Sequence, residues 1–137
     1  MKFISHRGNL KGPSTYENTR KQITKVLKGG VDCEIDVRFL DNKFLLGHDH
    51  PIEEVSLEFL KTKNLWVHCK NLDCLKILST TNINCFAHEN DSYVLTSHNY
   101  IWTFYGEEVT ERSVIVDLNK NWSTMDYNCY GVCSDYM

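Results

Sequence analysis

The sequence predicts an α/β domain, with strand–helix alternation in its first half and strands on clipped connections in its second. Three observations carry this. Val31, Cys33, Ile35 and Val37 alternate with Asp32, Glu34, Asp36 and Arg38, the period of two expected of a strand with one apolar and one charged face. Residues 16–28 and 71–79 show helical spacing, through Ile23, Val26 and Leu27 and through Leu72, Leu75 and Leu78. The chain is 137 residues long, enough for one domain spanning 1–137 with a real core, and short for two.

Taken in order, residues 2–6 form a short apolar run read as the first strand. Gly8-Asn9 and Gly12-Pro13-Ser14 mark a loop, and Gly29-Gly30 stops the helix over 16–28. The alternating run 31–38 is the second strand, Asp41-Asn42 a turn, and 43–47 a returning strand. A short helix is expected over 56–62, a strand over 65–70 and a helix over 71–79. Beyond residue 80, strand-like runs at 84–88, 93–96, 99–104, 113–117 and 129–133 follow with little helical periodicity between them.

Composition narrows the function. With 42% hydrophobic residues the chain is a globular protein, and a net charge of -3 leaves no basic excess for non-specific nucleic-acid binding. No apolar run approaches the length of a membrane span. The opening Met1-Lys2-Phe3-Ile4 lacks a secretory h-region, and no CxxC pair occurs among the six cysteines. The expectation is a cytoplasmic protein whose thiols are free and structural.

The chemistry concentrates in four segments: His6-Arg7-Gly8, Glu17-Asn18-Thr19, Glu34-x-Asp36-x-Arg38 and Gly47-His48-Asp49. Glu34, Asp36 and Arg38 share one face of a strand. Two carboxylates on a covered face repel and lose hydration, which a divalent cation relieves, and oxygen ligands suit Mg²⁺ or Ca²⁺. The bland alternative is a Glu–Arg ion pair on an edge strand. Arg7 offers a planar fork for phosphate oxygens, and His6 and His48 can each move a proton near neutral pH. Two histidines, an Arg and a metal are the parts for cleaving a phosphodiester.

Together, and in this order over residues 4–51, these segments resemble the signature of the glycerophosphodiester phosphodiesterases, a TIM-barrel family related to phosphatidylinositol-specific phospholipase C and sphingomyelinase D. The resemblance implies a metal-dependent hydrolase of a glycerophosphodiester or a similar small or lipid-headgroup diester. It casts His6 and His48 as catalytic general acid and base, Arg7 as a phosphate contact, Glu34 and Asp36 as metal ligands, and Glu17 as support for the metal and Arg7. The implied metal is Mg²⁺ or Ca²⁺. A full (β/α)₈ barrel takes about 250 residues. The fold expected is therefore a reduced TIM-like (β/α) barrel with several later helices missing.

The same resemblance leads one to expect a third carboxylate in the run Trp66-Val67-His68-Cys69-Lys70, two residues before a phosphate-binding Lys70. His68 stands there instead. It reads as a ligand to Mn²⁺ or Zn²⁺, as the mark of a weaker site, or as a hydrogen-bonded histidine at the mouth. His88 and Glu89 close the next strand and are candidates for the missing carboxylate's place; Trp102 is a candidate pocket wall, and Asp135 a candidate at the mouth of the last strand. Asp117 reads as a residue of the mouth or as a solvated strand end, and His50 and His98 as surface. The alternative function is a non-catalytic phosphate-ligand binding module on a degenerate barrel. The partner expected is a small-molecule phosphodiester. Missing outer helices would bare apolar strand faces, and so point to a homo-oligomer.

Overall fold

The structure is a computed structural model describing residues 1–137. Strand β1 (Lys2–His6) leads through a loop to helix α1 (Arg20–Lys28) and back into β2 (Asp32–Leu40), which lies parallel to β1. The helix begins at Arg20, not near 16. Asn18 sits in the left-handed region (φ 55°), which no helix interior tolerates, and Thr19 caps the helix by accepting from Gln22 N at 3.3 Å. Ile23 and Val26 form the helix's buried stripe.

Strand β2 outruns β1. Its first residues pair with β1, while Val37–Leu40 pair antiparallel with β3 (Lys43–Leu46) across a turn at Asp41 and Asn42. Both turn residues have positive φ, 51° and 60°, as a two-residue hairpin of the favoured hand requires. A further strand, β4 (Glu53–Val55), pairs with β3 and escapes the sequence pattern because it is three residues long with two glutamates. Next come α2 (Leu57–Leu60), β5 (Leu65–Cys69) on the other edge of β2, α3 (Leu72–Leu78) and β6 (Cys85–Phe86). The second half supplies β7 (Tyr93–Leu95), β8 (Ile101–Thr103), β9 (Ser113–Val116), a 3-10 turn at Asn121–Ser123 and β10 (Gly131–Ser134).

The parallel strands run in the order β6-β5-β2-β1-β10-β9-β8, with β7 antiparallel beyond β8. This is a mixed sheet curled into a half-barrel; the expected TIM-like (β/α) barrel, even in reduced form, is not what the chain builds. The physical reason is backbone. No ladder joins β6 to β7 or β8, and a two-residue β6 has too few amide groups to close the gap. Only three α-helices form, of nine, four and seven residues, so the sheet lacks the outer ring that defines that barrel.

Two cores hold the sheet. On the convex side, α1, α2 and α3 cover Cys33, Ile35, Val37, Val67 and Cys69. On the concave side, Ile4, Trp66, Phe86, Trp102, Val114 and Cys133 plug the half-barrel, with the Phe86 and Trp102 rings 4.5 Å apart. That aromatic contact spans the ends the backbone leaves unpaired. On the outer face of β9 and β10, where bare apolar strands were expected, Ile115 and Val132 are fully buried within the chain. All six cysteines are free thiols, and only Cys129 is appreciably exposed.

Candidate active site

Register builds the site. Pairing of β1 with β2 sets His6 beside Glu34, and pairing of β2 with β5 sets Asp36 beside His68, all on the concave face above the aromatic plug. The His68 ring stacks nearly parallel on Phe86, its cross-strand neighbour on β6, with centroids 5.2 Å apart. A cavity of about 370 Å³ opens here at the C-terminal ends of the parallel strands. It collects His6, Arg7, Glu34, His48, His68 and Lys70 on one side, with His88 and Glu89 at the rim. Trp102, Phe104, Tyr105, Val116 and Leu118 form an apolar wall.

Glu34, Asp36 and His68 offer one ligand atom each within 4.8 Å of one another, and they can hold a metal ion. Glu34 and Asp36 are 2% and 0% exposed, and two bare carboxylates so placed need a cation. Asp36 Oδ1 lies 3.1 Å from His68 Nδ1, but too far off line for a hydrogen bond, so it is a buried oxygen without a donor. That orphaned oxygen fits a metal ligand. His68 Nε2 donates to the His88 carbonyl at 2.8 Å, which turns Nδ1 toward the carboxylates, the orientation a ligating imidazole takes. With no ion present, burial disfavours the His68 charge, but the Asp36 and Glu34 carboxylates beside the ring overcome it and raise its pKa to about 9. Burial likewise opposes the Asp36 charge, and His68, Asn18 and Arg7 together hold its pKa well below the usual carboxylate range. His68 thus stands in as the site's own cation.

His6 is held from the far end of the chain. Its Nδ1–H donates to Asp135 Oδ1 at 2.8 Å, and its Nε2 lies 3.9 Å from Glu34 Oε2. Burial lowers the His6 pKa, and the Asp135 bond and the Glu34 charge more than offset that and raise it. Asp135 sits opposite the first loop because β10 pairs with β1 and Gly12 N bonds the Asp135 carbonyl.

Arg7 sits in a tight turn at φ 58°, followed by Gly8 at 87°, with Asn9 N bonded to the His6 carbonyl. A non-glycine residue in the left-handed region is a strained placement that sites favour. The sequence pictured a free guanidinium fork. Instead, Arg7 Nη1 contacts Glu17 at 3.3 Å and Nε lies 3.2 Å from Asp36, which leaves the Nη2 end for a phosphate oxygen. Lys70 has no carboxylate within ion-pair range and faces the cavity.

His48 enters over the β3 edge. Gly47 makes this possible: at φ 138°, an added Cβ would lie 2.0 Å from the His50 carbonyl oxygen. Arg38 Nη2 donates to the Gly47 carbonyl at 3.1 Å, and more closely to that of His48, so the third charge of the Glu34-x-Asp36-x-Arg38 face braces the turn. His48 Nδ1 donates to Asp49 Oδ1 at 2.8 Å, and this bond lowers the Asp49 pKa.

Four expectations change. Glu17 supports Arg7 and lies outside the Glu34, Asp36 and His68 group. Glu89 does not supply a third carboxylate; it is exposed on the rim. His88 lends His68 its backbone carbonyl, while its ring Nε2 turns to the Asp91 carbonyl at 2.7 Å. Asp117 is fully buried and bonds Asn121, away from the cavity lining. His50 and His98 are exposed.

Two residues received no role from the sequence. Asn18 bonds Asp36 twice, and Asn9 bonds Glu17 and Asp135. Asn18 lay inside a recognised segment and Asn9 directly after one, so adjacency was the only available signal. No helix is long and apolar enough to cross a membrane. No family model, curated protein or solved structure matches the chain.

Proposed function

We propose that this protein is a metal-dependent phosphodiester hydrolase acting on a glycerophosphodiester or a similar small or lipid-headgroup diester, similar in its site to the glycerophosphodiester phosphodiesterases. One observation carries the reading. A single cavity gathers His6, His48, Arg7 and Lys70 around Glu34 and His68, and directly behind that lining Asp36 completes a two-carboxylate, one-imidazole cluster with an orphaned buried oxygen.

Glu34, Asp36 and His68 would hold the metal. Two oxygens and a nitrogen suit Mn²⁺ or Zn²⁺ better than the Mg²⁺ or Ca²⁺ that the family resemblance implies. When bound, the metal polarises the phosphoryl oxygens and stabilises charge developing on them. The remaining steps belong to the chain. Arg7, through Nη2, and Lys70 take the non-bridging oxygens. His6 Nε2 has its lone pair toward the cavity because Asp135 holds the proton on Nδ1, so His6 is the general base toward the attacking group, a hydroxyl of the substrate or a water. His48, tied through Nδ1 to Asp49, leaves Nε2 for the leaving oxygen and serves there as general acid in its imidazolium form. The wall of Trp102, Phe104, Tyr105, Val116 and Leu118 shields one arm of the diester from water. Six free thiols suit a reducing, cytoplasmic compartment.

The test is hydrolysis of bis(p-nitrophenyl) phosphate and glycerophosphocholine with Mg²⁺, Ca²⁺, Mn²⁺ or Zn²⁺ added in turn. Turnover lost in His6→Ala and His48→Ala supports the assignment, and turnover that persists in both overturns it. A second reading, a phosphate-ligand binding module without turnover, is favoured by His68 standing where the family resemblance leads one to expect a third carboxylate. Saturable binding of glycerophosphocholine with no product released would select it.

A further inference from the structure

We infer that Asn9 is a positioning residue that locks the general base and the phosphate clamp into one unit. This deepens the hydrolase reading and rests on it. The Asn9 side-chain nitrogen donates one hydrogen to Glu17 Oε2 at 2.9 Å and the other to Asp135 Oδ1 at 2.8 Å. Each carboxylate then holds a different group: Glu17 holds Arg7 Nη1 and Asp135 holds His6 Nδ1. The path His6–Asp135–Asn9–Glu17–Arg7 is therefore continuous, and Asn9 is its only member that does not titrate.

The amide orientation is dictated by chemistry. Turned over, its oxygen would face two carboxylates, whereas as placed both N–H groups are used. The cost is visible, because Asn9 Oδ1 is buried with no partner. Such an orphan is retained where the other end of the group is needed. The backbone is pinned to match. Ser5 Oγ donates to the Asn9 carbonyl at 2.7 Å, and Asn9 N closes the His6–Arg7–Gly8 turn. The side chain is 2% exposed, so solvent does not compete for its bonds. Lacking the amide, Asp135 would lose the donor that fixes its rotamer and hold His6 Nδ1–H only part of the time, and Glu17 would be free to swing outward with Arg7.

The experiment reads the His6 tautomer by ¹⁵N imidazole shifts in the 137-residue chain, alongside kcat and KM for bis(p-nitrophenyl) phosphate. In Asn9→Ala the fixed Nδ1–H form gives way to a tautomer mixture, kcat falls ~10-fold or more, the loss typical of removing such a supporting partner, and KM rises as Arg7 loosens. If Asn9→Ala does not fold, Glu17→Gln serves. Glu17 does not touch His6, so coupling through Asn9 predicts that its His6 resonances move. A folded Asn9→Ala protein with an unchanged His6 tautomer overturns the inference, as do unmoved His6 resonances in Glu17→Gln. Wild-type protein that hydrolyses no diester defeats the hydrolase reading instead, and the tautomer measurement still decides the role of Asn9.

Discussion

Asn18 and Asp36 grip each other twice: Asn18 Nδ2 donates to Asp36 Oδ2 at 2.9 Å, and Asp36 N donates to Asn18 Oδ1 at 3.0 Å. The pair joins the entry of α1 to the middle of β2, and the left-handed backbone of Asn18 is what turns its side chain inward. A carboxylate held this way cannot rotate away from Glu34 and His68.

Asn18→Ala removes both bonds and strands a buried backbone N–H. An unsatisfied buried group costs about 1–3 kcal/mol, and that loss should appear in urea unfolding of the metal-free protein. Metal affinity should fall ~10–100-fold, as for other supporting partners, and calorimetric titration with Mn²⁺ measures it. Unchanged affinity would mean that Asp36 is oriented by the strand alone.

His68→Glu restores the carboxylate that the family resemblance leads one to expect. It should move preference from Zn²⁺ and Mn²⁺ toward Mg²⁺ and Ca²⁺, since an all-oxygen set suits the harder cations. Competition between Zn²⁺ and Mg²⁺ on the two proteins gives the answer. Identical preferences would show that His68 is not a ligand.

The pH dependence of stability follows from His68 in the metal-free protein. Its folded pKa of about 9 lies above the unfolded 6.5, so the stabilisation is complete below pH 6.5 and is lost as pH rises through 9. The loss is on the order of 3 kcal/mol across that window. Urea midpoints at pH 6, 8 and 9.5 should fall in wild type and fall far less in His68→Asn. Saturating Zn²⁺ should reverse the trend, because a metal competes with the proton and gains affinity as pH rises.

Gly47→Ala should displace His48 while leaving the metal group in place. The added Cβ cannot fit 2.0 Å from the His50 carbonyl, so the turn must move. The expected result is a kcat loss comparable to that of His48→Ala, with Zn²⁺ affinity within about 2-fold of wild type, as independent sites allow. A coupled loss of metal affinity would show that the hairpin also braces Asp36, whose carbonyl accepts from Gly47 N at 3.1 Å.

The sequence by itself determined which side chains share a face. The two-residue period of β2 is intrinsic to an extended chain, so Glu34 and Asp36 had to point the same way, and Cys33, Ile35 and Val37 the other. Capping and helical spacing likewise marked α1 and α3 to within a few residues. Which strands become neighbours, and at what register, was decided only in three dimensions. His6 meets Glu34, His68 meets Asp36, and Asp135 meets His6 across 129 positions of chain. Those pairings depend on the total backbone available for ladders, and that same supply left the sheet open where a closed barrel was expected. No ladder joins the two-residue β6 to β7 or β8, so aromatic side chains bridge the half-barrel there and the mouth keeps its cavity.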